Sequence, residues 1–139
     1  MSSNQHICRT RYTQGRPFVR AKVAIINEMT GKQTTIDKNF KVDTGFDAGI
    51  HLPDVHMSDA HLVGLEPTLG TVGLAGGVEK PAHYSFAYLK EIEGYEFPAP
   101  GIGVQLVLQG SSRHGVLGLE ILKRFVTEFD GPNQLLTIK

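Results

Sequence analysis

The sequence predicts an all-β protein, a small closed barrel or sandwich. Three observations carry this: short runs rich in β-branched and aromatic residues alternate with turn residues, glycine makes up about 12% of the chain, and only two stretches have helical spacing. A length of 139 residues matches one domain of ordinary size, and roughly 49% apolar residues, counting glycine but not tyrosine, suits a folded globular core. Disorder, collagen and coiled coil are thereby excluded as the main state.

Residues 1–16 are polar and contain Gln14-Gly15-Arg16-Pro17, which breaks both helix and ladder, so they are expected to form a flexible N-terminal arm before a domain over residues 17–139. From Phe18 to Ile26 alternation and β-branching predict a strand. The turn residues Asn27 to Lys32 follow, and the pattern resumes at Thr34-Thr35-Ile36, which makes a hairpin. A further strand through Phe40-Lys41-Val42 runs into Asp43-Thr44-Gly45. After Ile50-His51-Leu52-Pro53, Ser58 is placed to cap a short helix through Ala60 to Val63, ended by Gly64 to Pro67.

Gly70, Gly73, Gly76 and Gly77 lie between Thr71-Val72 and the strand-like run His83 to Leu89, as in a hairpin with a glycine tip. Ile102 to Leu108 and Leu135 to Ile138 read as strands. Between them Leu119, Leu122 and Phe125 share one face of a short amphipathic helix. The apolar run Leu135 to Ile138 could pair at a subunit interface or lie at the edge of a monomeric sheet.

Fourteen basic residues balance fourteen acidic ones, so no global field draws nucleic acid or an anionic membrane. The charge is uneven, however: residues 1–41 hold eight Lys or Arg against Glu28 and Asp37. That basic stretch is read as a solvated terminus. The single cysteine, Cys8, cannot form a disulfide within the chain and lies in the loose arm, without the setting of a nucleophile. No secretory leader and no membrane-length apolar run is visible, which gives the expectation of a soluble cytoplasmic protein.

His51, Asp54, His56, Asp59 and His61 are the densest group of possible metal ligands, but His56 and His61 are five apart, off the spacing of one helical face, and no metal is expected. The glycine pairs do not follow a strand and open a helix, so no nucleotide loop is read. The four tyrosines are scattered without interleaved basic residues, so nucleic-acid stacking is not expected either.

A carboxylate leaving a core strand into a tight turn must have its desolvation offset by hydrogen bonds or a shared charge, which makes Asp43 the candidate for chemistry. An Asp-Thr-Gly triplet alone is equally an Asx-type turn. The order around it is more specific: strand, hairpin, strand, Val42-Asp43-Thr44-Gly45, a glycine-rich hairpin, then Val116-Leu117-Gly118-Leu119 leading into a helix and a last strand. From about Phe18 to Ile138 this resembles the retropepsin-like aspartic proteases of the small, single-domain bacterial and archaeal kind.

The resemblance implies a closed acid-protease β-barrel working as a homodimer, and an aspartic endopeptidase with no cofactor. Asp43 would be catalytic, Thr44 would brace its loop against the symmetry mate, and Gly45 would admit the substrate. Leu74, Ala75, Gly76 and Gly77 would contact a peptide or unfolded-protein substrate from a flap, and Leu117 and Gly118 would support the loop from behind. One chain carries one such loop, while the chemistry needs two carboxylates, so two copies of Asp43 would meet. Phe46 departs from the Ser, Thr or Ala that many relatives carry there. It leaves a second expectation open, a non-catalytic dimer serving as a peptide-binding or assembly module.

Overall fold

The computed structural model describes residues 6–74 and 76–139. Among these, eleven strands and two short helices follow in order: β1 (Cys8–Arg11), β2 (Phe18–Ile26), β3 (Gln33–Val42), β4 (Ile50–Leu52), α1 (Met57–Leu62), β5 (Thr68–Gly73), β6 (Glu79–Ile92), β7 (Tyr95–Glu96), β8 (Ile102–Leu108), β9 (Gly115–Leu117), α2 (Leu119–Leu122), β10 (Thr127–Asp130) and β11 (Leu135–Ile138). No helix is long and apolar enough to cross a membrane.

Six strands close a barrel in the order β2-β3-β9-β4-β8-β6, and β6 pairs back onto β2. Closure satisfies the backbone groups that an open sheet would leave at its edges. The inward residues of these strands form the core. On β3 the buried Ile36, Phe40 and Val42 recur at even positions, as period-two alternation requires. Phe40, Ile50, Leu52, Leu89, Leu106, Leu108 and Leu117 are fully buried around the same centre.

The Asn27 turn holds its two strands in the expected hairpin. Gly31 N–H donates to the Asn27 carbonyl at 2.7 Å, and the Asn27 side chain accepts from Met29 N–H. The strand leaving it runs unbroken from Gln33 to Val42, where two strands were expected, because every residue from Gln33 to Lys41 pairs with β2. Ile102–Leu108 and Leu135–Ile138 form as expected. Ser58 is not a cap: a 3-10 turn over Asp54–His56 runs straight into α1, and the Ser58 hydroxyl instead donates to the Val55 carbonyl at 2.9 Å. Helix α2 is one turn long and buries Ile121 and Leu122, while Leu119 faces solvent.

The expected loose arm over residues 1–16 is corrected for Cys8–Arg11, which pair residue by residue with β11. Cys8 is buried and Thr10 partly so, giving the alternation of an edge strand. The β11 strand lies between β1 and β10, so both its edges are occupied within the chain. A partner strand would meet β1 or β10, not β11. This three-stranded sheet sits apart from the barrel strands in pairing, yet Cys8, Leu136 and Ile138 join the same core.

Candidate active site

Strand β9 lies between β3 and β4, parallel to the first and antiparallel to the second, although β3 and β4 are neighbours in sequence. The connection from Val42 to Ile50 must therefore arch over β9. Asp43 stands at the start of that arch. Its N–H donates to the Leu117 carbonyl at 3.0 Å, which extends the β3–β9 ladder by one residue and fixes where the carboxylate leaves the barrel. Leu117 is fully buried behind it.

The turn closes on itself: Gly45 N–H donates to Asp43 Oδ1 at 2.9 Å, and Phe46 N–H donates to the Asp43 carbonyl. The far side of the arch is pinned to α2, where Gly118 N–H reaches the Gly49 carbonyl at 2.8 Å and Leu119 N–H the Phe46 carbonyl at 2.7 Å. The Asp43 side chain is 38% exposed, and Oδ2 faces the Lys41 ammonium at 3.9 Å. A carboxylate held at one oxygen and only loosely paired at the other, on a partly exposed side chain, can accept a proton from, or donate one to, a group that enters from solvent. Thr44 and Gly45 are exposed at the crest.

A cleft of about 460 Å³ opens over this loop, lined by Asp43, Gly45, Phe46, His51, Val72, Gly73, Leu74 and Val116. Its roof is the β5–β6 hairpin, which folds over the outer face of the barrel. Val72 and Ala82 from the hairpin bury against Val107, with Phe46, Ala48 and Tyr84 packed around them. The Tyr84 hydroxyl donates to the Thr71 carbonyl and ties the two hairpin strands. At the tip Leu74 N–H meets the Val78 carbonyl at 2.7 Å, with Gly76 and Gly77 at φ +85° and +75°, a conformation glycine adopts without strain. Beyond Phe46 the cleft continues into a smaller space of about 280 Å³, bordered by Asp47, Thr71, Tyr84, Gln105 and Val107.

Of the residues singled out in the sequence, Asp43, Gly45 and Leu74 line the cleft. Gly76 and Gly77 stand at the hairpin tip outside that lining, Leu117 and Gly118 lie behind the loop, and Ala75 falls outside the described residues. His51 enters the cleft unannounced, since in sequence it was only a possible metal ligand. Its ring packs edge-on against Phe46 at 5.9 Å, and its Nε2 is 3.3 Å from Gln109 Oε1. Burial pulls its pKa below the ordinary value, and its bonds to Gln109 and the field of Asp54 oppose that. Strand alternation carries the signal: His51 lies between the inward Ile50 and Leu52, so it points outward to the side that the hairpin covers.

The other histidines of that segment are occupied separately. His56 Nε2 accepts from Lys38 at 2.8 Å, so its proton sits on Nδ1, donated to Asp59 at 2.7 Å, and His61 pairs with Glu66. Among the described residues no three His, Cys, Asp or Glu side chains converge as metal ligands. Cys8 is buried in β1, away from the cleft lining.

No protein-family model and no curated protein matches the sequence. Among solved structures, the chain is similar to a retropepsin-like aspartic protease from Rickettsia conorii, with a TM-score of 0.59 and 21% sequence identity over 94% of this chain and 88% of that one. At that identity the likeness concerns architecture, and in architecture it agrees with a six-stranded closed barrel bearing two short helices: the protein has a retropepsin-like fold.

Proposed function

We propose that this protein is an aspartic endopeptidase acting as a homodimer, in which Asp43 of two protomers meets across a two-fold axis. The observation that carries the reading is Asp43 itself, held by Gly45 N–H at one oxygen, loosely paired with Lys41 at the other and partly exposed on the floor of a roofed cleft. Two carboxylates about 3 Å apart cannot both ionise, so the pair keeps one proton. The ionised Asp43 takes a proton from water as its oxygen attacks the peptide carbonyl carbon, and the protonated one donates to the carbonyl oxygen. Collapse of the tetrahedral intermediate breaks the C–N bond, with a proton delivered to the leaving nitrogen. Acid and base both come from the pair, so the scheme calls for no cofactor.

Other residues take supporting roles in this scheme. Exposed Thr44 hydrogen-bonds across the axis to the partner loop, and Gly45 leaves space for the substrate backbone. The β5–β6 hairpin acts as a flap that excludes water, with Leu74 and the Ala75-Gly76-Gly77 tip against the peptide. In the sheet order β5 is the last strand beyond β6, so one edge is free to take an extended peptide as an added strand.

Phe46 favours a second reading, a dimer that binds peptides without cutting them, because an aromatic ring there gives Asp43 no hydroxyl partner. The two part on one experiment: wild type and Asp43→Asn are incubated with a reduced, carboxymethylated protein at mildly acid pH, and the oligomeric state is followed by sedimentation. Cleavage by wild type alone, with both proteins dimeric, supports the protease. A loss of about 10²- to 10⁴-fold is the size expected for removing an acid–base group. Equal behaviour of the two proteins overturns the protease and leaves the binding module.

A further inference from the structure

We infer that the cleft selects peptides carrying an acidic side chain beside the bond at Asp43, through the Lys41 ammonium in a row that also holds Val116, His51 and His114. The inference rests on the peptide-cleft reading above and assigns it a substrate class. Across the outer face of the sheet, register pairs Phe18 with Lys41, Lys41 with Val116, and Val116 with His51. Paired residues project to the same side, so these four side chains form one row crossing four strands. Val116 and His51 line the cleft, and the Lys41 ammonium reaches to 3.9 Å from Asp43 Oδ2. His114 extends the row, its ring edge-on to Phe18 at 5.0 Å.

The charges that act on this row are unbalanced. His114 is held below its ordinary pKa first by burial and then by the fields of Lys41, His51, Lys38 and Arg16, every one of them a basic group. Two carboxylates face the row: Asp43 beside Lys41, and Asp54 beside His51. In a dimer whose two Asp43 side chains share one proton, two Lys41 ammonium groups stand against a single negative charge. Beside the dyad the excess is therefore positive and belongs to Lys41, whereas Asp54 opposes it at the His51 end of the row. The opposite end of the cleft, beyond Phe46, carries Asp47 and no Lys or Arg among its lining residues. Partly exposed ion pairs discriminate modestly and weaken with salt.

The test uses the full-length protein and short unstructured peptides of Ala, Leu and Ser in which a single Glu, or its neutral isostere Gln, is moved through the sequence. At low salt, kcat/KM for the best-placed Glu peptide should exceed that for its Gln twin by about threefold to fivefold. The ratio should approach one at high salt and in Lys41→Gln. A ratio of one in wild type at low salt, or an unchanged ratio in Lys41→Gln, overturns the inference. Lys41→Met serves if Lys41→Gln does not fold, and an unchanged ratio there counts against the inference equally. If neither peptide is cut, the protease reading is decided by the Asp43→Asn comparison above, and binding of the same labelled peptides by fluorescence anisotropy decides the inference separately: tighter, salt-sensitive binding of the Glu peptide supports it, and equal binding overturns it.

Discussion

Gly118 lies directly beneath the ring of Phe46: a Cβ built on Gly118 would fall 2.5 Å from Phe46 Cδ2 and 2.6 Å from the Phe46 carbonyl oxygen, and closer still to the Ala48 carbonyl. The backbone at Gly118, at φ −101° and ψ −173°, is one that any residue adopts. Space, not conformation, requires glycine here. The aromatic residue after Asp43-Thr44-Gly45 and the glycine of the crossing segment are thus two halves of one packing solution, and the Leu119 N–H bond to the Phe46 carbonyl closes it.

Gly118→Ala is therefore expected to destabilise the protein by about 1–3 kcal/mol, the range for forcing a methyl group into a filled site, because two of the three nearest atoms are backbone oxygens that cannot rotate away. Urea unfolding of wild type and variant measures it. A variant as stable as wild type would show that the arch yields more easily than its hydrogen bonds indicate.

Thr44→Val tests the crest of the loop. Valine has nearly the same shape and lacks the hydroxyl, so the subunit fold should persist. If Thr44 bonds across the two-fold axis, the dimer dissociation constant rises by about fivefold to tenfold, the size of one lost hydrogen bond. Sedimentation at several concentrations gives that constant. An unaltered dimer removes Thr44 from the interface.

His51 should make stability depend on pH. Its pKa lies below the ordinary 6.5, chiefly through burial, so the folded state binds fewer protons than the unfolded chain. The contribution of the neutral imidazole is present above pH 6.5 and is lost as pH falls through the lowered folded value. Wild type should thus unfold at lower urea on going from neutral pH to pH near 5, and His51→Gln should show a shallower dependence. His114, shifted in the same direction, supplies part of the slope that remains. Parallel pH profiles for wild type and His51→Gln would contradict the assignment.

Cys8 should be unreactive in the native protein. Burial, then the field of Glu93, pushes its thiol up to about 11 against the weaker effect of a backbone bond at Ile138, so almost no thiolate exists near neutrality. A thiol-reactive disulfide reagent should label it slowly in buffer and rapidly in urea. Rapid labelling of folded protein would mean that β1 leaves β11 far more readily than its four paired residues suggest.

The local structure around Asp43 was largely legible from local pattern. Asp43 falls at the end of an alternating strand, Gly118 follows an apolar strand at the start of a helix, and Gly76 and Gly77 mark a hairpin tip, because each of these needs only its own neighbours in sequence. Strand β1 was not legible. Its four residues, Cys8 to Arg11, show no run of apolar residues, and they form a strand because β11, more than a hundred residues later, offers an apolar pairing edge. Ser58 misled for the converse reason, since a cap-like residue is overridden once the chain enters the helix through a 3-10 turn.

By itself, then, the sequence determined the all-β class, the hairpin turns and the position of the acidic loop, all consequences of periodicity and turn chemistry within a few residues. Only the tertiary structure decided that β6 closes the barrel onto β2, that β9 threads between β3 and β4 beneath Asp43, and that Lys41, Val116 and His51 stand in one row. Those are matters of register between distant strands, and a register shift of one residue would turn each of these side chains to the opposite face of the sheet.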